Sequence, residues 1–345
     1  MNSTLTAPPI TAFAASQART MQAIVQDKYG SFSALELRHI DKPTIADDDV
    51  FIRVQAASVH IGDWYCMTGL PYILRVVGLG FRKPKAYVRG MDLAGTVEAV
   101  GKNVTQFQAG DAVFGTCDGA FAEYACARAD TLAFKPANLT FEQAAAVPTS
   151  ALAALQALRD VGGIQVGQKV LIVGASGGVG MFAVQIAKSF GAEVTGVCST
   201  TKVDMVRSLG ADHVVDYTQG DFTRSGQRYD LILDMGGSRS LSDLRRVLRP
   251  AGTLVLVSAD GGNRLLGGMG RWIQALVMSP FLSHTLRPLS STPNEADLQL
   301  LKEIIEAGKV TPVVDRTYPL SQVPDAIRYV SEGRTRGKIV INVRA

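Results

Sequence analysis

A run of small residues at 174–178 could bind a phosphate group. The run follows a continuous apolar segment at 170–173, which is typical of a strand buried on both faces of a parallel sheet. It precedes a predicted helix at 179–190, in which apolar residues recur at helical spacing. A strand, a glycine-rich turn and a helix in this order direct backbone N–H groups and the positive end of the helix toward a phosphate.

The glycines of this turn suit a dinucleotide. Gly177 and Gly178 would let the backbone approach a diphosphate, and Gly180 would let the helix pack closely on the strand. The first glycine of the usual motif is Ala175 here, but the strand and the helix that the motif requires are both predicted. The alternative is a tight turn that binds nothing. We expect the diphosphate to be held by Ser176, Gly177, Gly178, Val179 and Gly180.

The end of the second predicted strand favours NADPH over NADH. An NAD site usually has an Asp or Glu there, but this strand ends in Cys198. Ser199, Thr200 and Lys202 follow, and their hydroxyl groups and positive charge suit a 2′-phosphate. Tyr217 could pack on the adenosine. A compatible alternative is that the two hydroxyl residues cap the next helix.

The alternation of strands and helices after residue 169 indicates a doubly wound parallel sheet. The predicted strands are 170–173, 193–198, 213–216, 230–234 and 253–258, and the predicted helices are 179–190, 202–209 and 239–248. Residues 260–296 are rich in Gly, Ser and Pro around an apolar middle at 272–281. They could form a surface loop with a short helix, a lid or a contact between subunits.

The first 140 residues are predicted to be mainly β-structure, because short strands alternate with Gly and Pro. These strands lie at 22–26, 50–57, 92–100, 111–114 and 120–127. Helices are predicted at 141–146, 150–159, 297–307 and 322–331, and a last strand at 338–343.

Composition limits the classes of partner. The 345 residues include 35 basic and 31 acidic side chains, and a net charge of +4 is too small and dispersed to suggest nucleic acid. A basic cluster, Arg82, Lys83 and Lys85 with Arg89, fits a solvated loop, although it could attract an anionic substrate. No apolar run reaches membrane-spanning length, so we expect no membrane partner.

Cysteine usage favours a reducing compartment. The four cysteines form no C-x-x-C pair and suggest no disulfide framework, so we expect a cytoplasmic protein. Residues 1–20 lack the features of a secretory signal. They fit either a weak organelle-targeting peptide or a disordered tail, and we expect the tail.

Several short motifs between Met21 and the C-terminus form a recognisable set. They are AASVHIGDW at 56–64, GMDLAG at 90–95, GDAVF at 110–114, AAAVP at 144–148, the turn at 174–180, LGAD at 209–212 and RGKIV at 336–340. With them the chain resembles the medium-chain dehydrogenase/reductase superfamily. More narrowly, it resembles the zinc-free quinone oxidoreductase branch, which includes zeta-crystallin and related enone reductases.

The resemblance implies a subunit of two lobes and a homodimer. A GroES-like, partly open β-barrel lobe would comprise 21–145 and 297–345, and a Rossmann lobe would comprise 146–296. NADPH and a small electrophilic substrate would bind in the cleft between them. By matching position, the adenosine end would be surrounded by Gly196, Ser199, Lys202 and Tyr217, and the nicotinamide side by Ser238, Val257 and Ser258. Tyr65 matches a tyrosine that contacts the cofactor.

The positions that hold catalytic zinc in related alcohol dehydrogenases are His60, Met91 and Thr149 here. One usual ligand in three cannot hold a catalytic zinc, so we expect no metal. A zinc-free site must polarise its acceptor with hydrogen bonds, which suits quinones and α,β-unsaturated carbonyls because their developing charge is delocalised. Alternatives are a zinc-free carbonyl reductase or alcohol dehydrogenase, and a non-catalytic NADPH-binding protein.

Candidate hydrogen-bond donors to the acceptor are His60, Tyr65 and Tyr72. His60 stands where the family usually has Asn, and it could equally be a structural histidine that bonds the neighbouring backbone. Tyr72 is one position away from the tyrosine of enoyl-thioester reductases, and its alternative is a surface position. Residues 73–89 are longer than the corresponding family linker and are expected to cover the mouth of the cleft.

Overall fold

The computed structural model describes residues 19–258 and 262–344. The predicted tail at 1–20 lies outside the described residues except for Arg19 and Thr20, and Thr20 already begins the first strand. Within the described part, no helix is both long and apolar enough to cross a bilayer.

The first ten strands and α-helices precede residue 157 and include most of the first lobe. They are β1 (Thr20–Val25), β2 (Glu36–Asp41), β3 (Asp49–Val59), α1 (Ile61–Thr68), β4 (Asp92–Val100), β5 (Ala112–Thr116), β6 (Tyr124–Arg128), β7 (Leu132–Phe134), α2 (Phe141–Ala145) and α3 (Pro148–Gln156).

The remaining elements supply the second lobe and then return to the first. They are β8 (Lys169–Val173), α4 (Gly178–Ser189), β9 (Glu193–Cys198), α5 (Val203–Ser208), β10 (His213–Asp216), β11 (Tyr229–Asp234), α6 (Leu241–Arg246), β12 (Leu248–Leu256), α7 (Met269–Met278), β13 (Thr285–Pro288), α8 (Glu295–Glu306), β14 (Val314–Pro319), α9 (Val323–Ser331) and β15 (Lys338–Asn342).

The first lobe is a partly open barrel to which strands from the first half of the chain and the C-terminal strand β15 both contribute. Its sheet has the order β14-β15-β3-β4-β5-β7, with β6 also paired to β3. The C-terminal strand β15 runs antiparallel to β3, with Ile339 opposite Val59. Alternating residues of β4, such as Leu93 and Val97, point into a core that also contains Phe121. The GroES-like architecture predicted from the sequence is confirmed.

The second lobe is a parallel sheet with the order β10-β9-β8-β11-β12-β13. Its central strand β8 buries Val170, Leu171 and Ile172 completely, which is why the sequence there is a continuous apolar run. This arrangement confirms the predicted Rossmann fold. Leu298 and Ile305 of α8 pack in the same core as Val170, so the division between lobes at residues 296 and 297 stays a prediction.

Some elements differ from the prediction. The strand expected at 120–127 begins only at Tyr124, because the preceding residues turn at Gly119, where φ is +95°. The Phe121 N–H there donates to the Arg89 carbonyl at 2.8 Å rather than joining the sheet ladder. Strands β2, β7, β13 and β14 and helix α1 were not predicted. The apolar middle of 260–296 forms most of helix α7.

Candidate active site

A large cleft brings most of the predicted site residues together. It has a volume of about 1060 Å³ and is lined by residues of both lobes. The predicted residues in its lining are His60, Tyr65, Ser176, Gly177, Gly178, Val179, Gly180, Ser199, Lys202, Tyr217, Ser238, Val257 and Ser258. The same lining does not include Tyr72, Gly196 or Thr200.

The turn before α4 has the geometry of an anion cradle. Gly174 has φ +88°, and a Cβ atom at Gly180 would lie 2.1 Å from the Gly174 carbonyl oxygen, so both positions require glycine. Helix α4 begins after Gly177 with no side-chain cap, which leaves its first N–H groups available at the cleft. The residues present therefore fit a diphosphate.

His60 begins helix α1 and projects into the cleft. Its Nδ1 accepts the Gly62 N–H at 3.0 Å, while the His60 N–H donates to Asp63 Oδ2 at 2.9 Å, which completes a capping box. A Cβ at Gly62 would lie 2.6 Å from His60 Cε1, so the ring folds back over a glycine. The sequence left two roles open for His60, a structural one that bonds the neighbouring backbone and a chemical one as a hydrogen-bond donor to the acceptor. The geometry is compatible with both.

The second nitrogen of the His60 ring is left for another partner. Because Nδ1 accepts a hydrogen bond, a neutral ring carries its proton on Nε2. Nε2 is buried and has no hydrogen-bond partner among the described residues; the nearest carboxylate oxygen, Asp63 Oδ2, is 3.8 Å away. A buried donor without a partner is costly unless a ligand satisfies it.

Tyr65 and Tyr72 lie in different places. Tyr65 lies one turn after His60 on α1, lines the cleft and makes an edge contact with Trp64 at 5.3 Å. Tyr72 lies past the end of α1 on an exposed segment, and its N–H donates to the Arg264 carbonyl at 2.9 Å. The structure does not bring Tyr72 to the cleft, because the backbone pairing with Arg264 holds it at the surface.

Comparisons with known proteins agree with this geometry. Two family models match the chain, the alcohol dehydrogenase GroES-like domain over residues 46–137 and the zinc-binding dehydrogenase over residues 209–341. The mitochondrial NAD(P)H oxidoreductase RTN4IP1 of Mus musculus is 33% identical, over 97% of this chain and 93% of that protein. This chain belongs to the medium-chain dehydrogenase/reductase superfamily.

Two further relatives place the chain within this superfamily. The 2-methylene-furan-3-one reductase of Solanum lycopersicum is 31% identical, over 93% of this chain and 79% of that protein. The solved structure of the quinone oxidoreductase from Coxiella burnetii has a TM-score of 0.81 at 28% identity, covering 94% of this chain and all of that one. The protein is an oxidoreductase of the quinone oxidoreductase branch, and its cofactor is a nicotinamide dinucleotide.

The adenosine end of this dehydrogenase cleft differs from the expectation. Lys202 Nζ donates to the Thr335 carbonyl at 2.7 Å and the Gly333 carbonyl at 3.4 Å, so it bridges the two lobes. Burial lowers the pKa of Lys202, and the nearby Arg336 guanidinium lowers it further. Arg336, in the RGKIV motif, lies close to Lys202 but does not itself line the cleft.

Thr200 and Gly196 have structural roles. Thr200 Oγ1 donates to Asp216 Oδ2 at 2.6 Å, which joins the ends of β9 and β10 and turns the hydroxyl away from the cleft. A Cβ at Gly196 would lie 2.5 Å from Val206 Cγ1, so this glycine lets α5 pack on β9, and it does not line the cleft. Both residues were expected to contact the cofactor.

A buried charged pair lies beneath the diphosphate turn, and sequence reasoning did not find it. Lys338 and Asp92 are almost completely buried, with Lys338 Nζ 3.5 Å from Asp92 Oδ2 and 3.1 Å from Ser150 Oγ. A Cβ at Gly178 would lie 3.3 Å from Lys338 Cδ. The pair is 246 residues apart in sequence, and only the pairing of β15 with β3 and of β3 with β4 brings it together.

The positions that hold zinc in other dehydrogenases are occupied differently here. The Thr149 hydroxyl and N–H both donate to Asp92 Oδ1, so Thr149 is engaged in the buried network. Among the described residues, no group of three or more His, Cys, Asp or Glu side chains could hold a metal ion. Burial raises the pKa of the Cys66 and Cys117 thiols, which disfavours the thiolate that zinc prefers.

Proposed function

We propose that this protein is a zinc-independent, NADPH-dependent reductase that delivers hydride to a quinone or to the β-carbon of an α,β-unsaturated carbonyl. The observation that carries the proposal is that a single cleft is lined both by the uncapped N-terminus of α4 and by His60, whose buried Nε2–H has no partner among the described residues. The printed names of the tomato and Coxiella relatives, an enone reductase and a quinone oxidoreductase, support the same acceptor classes.

The protein's own residues hold the dinucleotide. The first N–H groups of α4 bind the diphosphate, and Lys338, paired with Asp92, supports the turn from beneath. Lys202 and Arg336 supply the positive charge that favours the 2′-phosphate of NADPH. When bound, the reduced nicotinamide supplies a hydride.

The reaction end of the cleft stabilises the acceptor. His60 Nε2–H donates to the oxygen on which negative charge develops, and one such buried donor contributes about 3 kcal/mol to transition-state stabilisation. Tyr65, which also lines the cleft, provides a hydroxyl as a second donor. A proton then reaches the α-carbon of an enone from Tyr65 or from water.

The set of side chains at the reaction end supports the proposal of zinc independence. Of the three positions that would bind zinc, Met91 is a poor ligand and Thr149 is already bonded to Asp92. Hydrogen bonding by His60 is sufficient for an acceptor that spreads its charge over a conjugated system. A saturated carbonyl, which cannot spread the charge, would be reduced far more slowly.

The test is to mix the purified protein with NADPH and follow the loss of its absorbance with a quinone, an enone and a saturated aldehyde in parallel. We expect turnover of the quinone or the enone that a chelator does not change. Turnover of only the aldehyde would assign the protein to the carbonyl reductases instead. Binding of NADPH without turnover of any acceptor would favour a non-catalytic role.

We also propose a homodimer located in the cytoplasm. Strand β13 is an edge strand, and beside it Phe281 and the α7 side chains Ile273, Leu276 and Val277 are exposed. A second copy of the chain would cover these apolar side chains.

Because the mouse relative is named as mitochondrial, fractionation of the source cells is the test of location.

A further inference from the structure

A second exposed apolar surface lies on the barrel side of the cleft, on the segment that follows α1. Its apolar members are Val76, Val77, Phe81 and Leu265, and their exposed fractions are between 63% and 73%. Its basic members are Arg82, Lys83 and Lys85. We call this set of seven residues the basic–apolar surface. Soluble proteins rarely expose so many large apolar side chains together without a partner.

The segment that carries this surface is a folded unit. Its backbone is paired with the loop after residue 262, where the Ile73 N–H donates to the Leu265 carbonyl at 3.0 Å. The Tyr29 hydroxyl donates to the Gly80 carbonyl at 2.6 Å. The Arg75 guanidinium stacks on the Tyr29 ring at 4.2 Å and donates to the Gly69 carbonyl at 2.8 Å.

These contacts invert the usual arrangement of polar and apolar groups. The charge of Arg75 is directed inward to an aromatic ring and a backbone carbonyl, while the neighbouring Val76 and Val77 are directed outward. The inward contacts of Arg75 therefore hold the side chains of Val76 and Val77 at the surface. Exposed aromatic and aliphatic side chains beside basic residues are the composition that inserts into the boundary between headgroups and acyl chains of a bilayer.

The charge of the surface is strongly positive. Between Asp63 and Asp92 the chain has five basic residues and no acidic residue. Arg82, Lys83 and Lys85 are exposed, and none of them forms an ion pair with a described residue. Unpaired cations beside protruding valine and phenylalanine side chains complement a partner with a negative surface and an apolar interior.

We propose that the basic–apolar surface docks the protein on the anionic face of a lipid bilayer. Phe81, Val76 and Val77 enter the boundary between headgroups and acyl chains, and the three cations bind the lipid phosphates. This proposal departs from the expectation of no membrane partner, which rested only on the lack of a membrane-spanning run, because peripheral contact needs no spanning helix. The docking itself is independent of the function proposed above.

Docking would place the reaction end of the cleft near the membrane. The segment continues directly from α1, which carries Tyr65, and its partner loop at 262–267 follows Val257 and Ser258 of the cleft lining by only a few residues. A lipophilic acceptor dissolved in the bilayer could then enter the cleft without crossing bulk water. This last consequence rests on the proposed reductase function.

The test is co-sedimentation of the full-length protein with vesicles of phosphatidylglycerol and, separately, of phosphatidylcholine. We expect binding to the anionic vesicles that weakens as salt is added, and little binding to the neutral ones. The triple variant Arg82→Gln/Lys83→Gln/Lys85→Gln should bind about a hundredfold more weakly, since each cation near an anionic surface contributes roughly fivefold. Val76→Ser/Phe81→Ser should also bind more weakly.

Matched variants control for net charge and for general apolar exposure. Arg207→Gln/Lys309→Gln/Arg344→Gln removes three exposed cations elsewhere, and Val166→Ser removes an apolar side chain that is equally exposed on the other lobe. Both controls should bind as the wild type does.

Equal losses in the controls, equal binding to neutral vesicles, or no binding to either kind would overturn the docking proposal. Self-association that is lost in Val76→Ser/Phe81→Ser, without vesicle binding, would assign the surface to a second copy. Turnover of a water-soluble quinone should be unchanged in all four variants, so failure of docking and failure of the reductase function can be distinguished.

Discussion

His60 uses its two ring nitrogens for different purposes, and this division can be tested. Nδ1 caps helix α1, and Nε2–H is left for the acceptor. His60→Asp keeps a capping oxygen but removes the donor, whereas His60→Asn keeps both an acceptor and a donor. We expect kcat/KM to fall about 100-fold in the aspartate variant and much less in the asparagine variant.

The control for this comparison is the thermal unfolding midpoint of each variant. Both variants should keep a midpoint close to that of the wild type. An aspartate variant with full activity would mean that Nε2–H does not contact the acceptor. Equal losses of activity and stability in both variants would mean that His60 is structural only.

Cofactor preference is also decided at the residue scale. Lys202 bridges the lobes through the Thr335 carbonyl, while Arg336 is exposed beside it. We expect Arg336→Gln to weaken NADPH about tenfold and to leave NADH unchanged, because one charge-assisted contact to a phosphate contributes about 1.5–3 kcal/mol. Lys202→Met should weaken NADPH more than NADH, and should also loosen the bridge between the lobes.

Fluorescence titration of each variant with the two cofactors measures this preference. Lys309→Gln, which removes an exposed cation that does not line the cleft, is the matched control and should change the affinity for neither cofactor. Equal changes in affinity for NADPH and NADH in both cation variants would contradict the assignment of a 2′-phosphate site.

At the level of single elements, the N-terminus of α4 is the decisive feature. Gly177 has φ −79° and ψ 174°, which any residue can adopt, and apart from a contact at 3.4 Å with the Gly174 carbonyl its Cβ position is open. A methyl group there would therefore occupy the cradle without disturbing the fold. Gly177→Ala should keep the unfolding midpoint and bind both NADPH and NADH about tenfold more weakly, the equivalent of one lost charge-assisted hydrogen bond.

Gly180→Ala is the contrasting variant, because its methyl group would strike the Gly174 backbone and should lower the unfolding midpoint. Calorimetry and cofactor titration measure both properties. Unchanged cofactor affinity in Gly177→Ala would exclude this turn as the diphosphate site.

The elements that could be predicted are those whose burial shows in local sequence. Strands β9 and β10 were predicted with their observed bounds, and β8 to within one residue, because apolar runs mark strands of a parallel sheet. Strand β14, with the sequence VDRTYP, is partly exposed and has no apolar alternation, so only its backbone pairing with β15 reveals it. Helix α1 was missed because its cap is an uncommon one, the imidazole of His60.

The residues of the candidate site could likewise be predicted only where a local sequence signal marks them. The turn at 174–180 and His60 could be found from sequence, because glycines before a helix and a histidine at a known motif position are local signals. Lys338 and Asp92 could not, since each is unremarkable alone and only the barrel brings them together. Tyr72 was misplaced because the backbone pairing with Arg264 cannot be read from local sequence.

For the whole molecule, the proposed dimer depends on the exposed side of α7 and the residues after it. Val277→Glu/Phe281→Glu places two charges where a second copy would pack. We expect this variant to sediment as a monomer and the wild type as a dimer, because unpaired charges in an apolar interface are strongly disfavoured. Val166→Glu, on an exposed site away from α7, should remain dimeric; a monomeric wild type would contradict the proposal.

The central claim is that hydride from the nicotinamide reaches a conjugated acceptor without a metal. The most direct measurement is reduction of an enone by chelator-treated protein with NADPH deuterated at C4 of the nicotinamide ring, on the face that transfers. The account predicts one deuterium on the β-carbon of a saturated ketone and none on an alcohol carbon. Deuterium on the alcohol carbon, or activity that returns only when zinc is added, would contradict it.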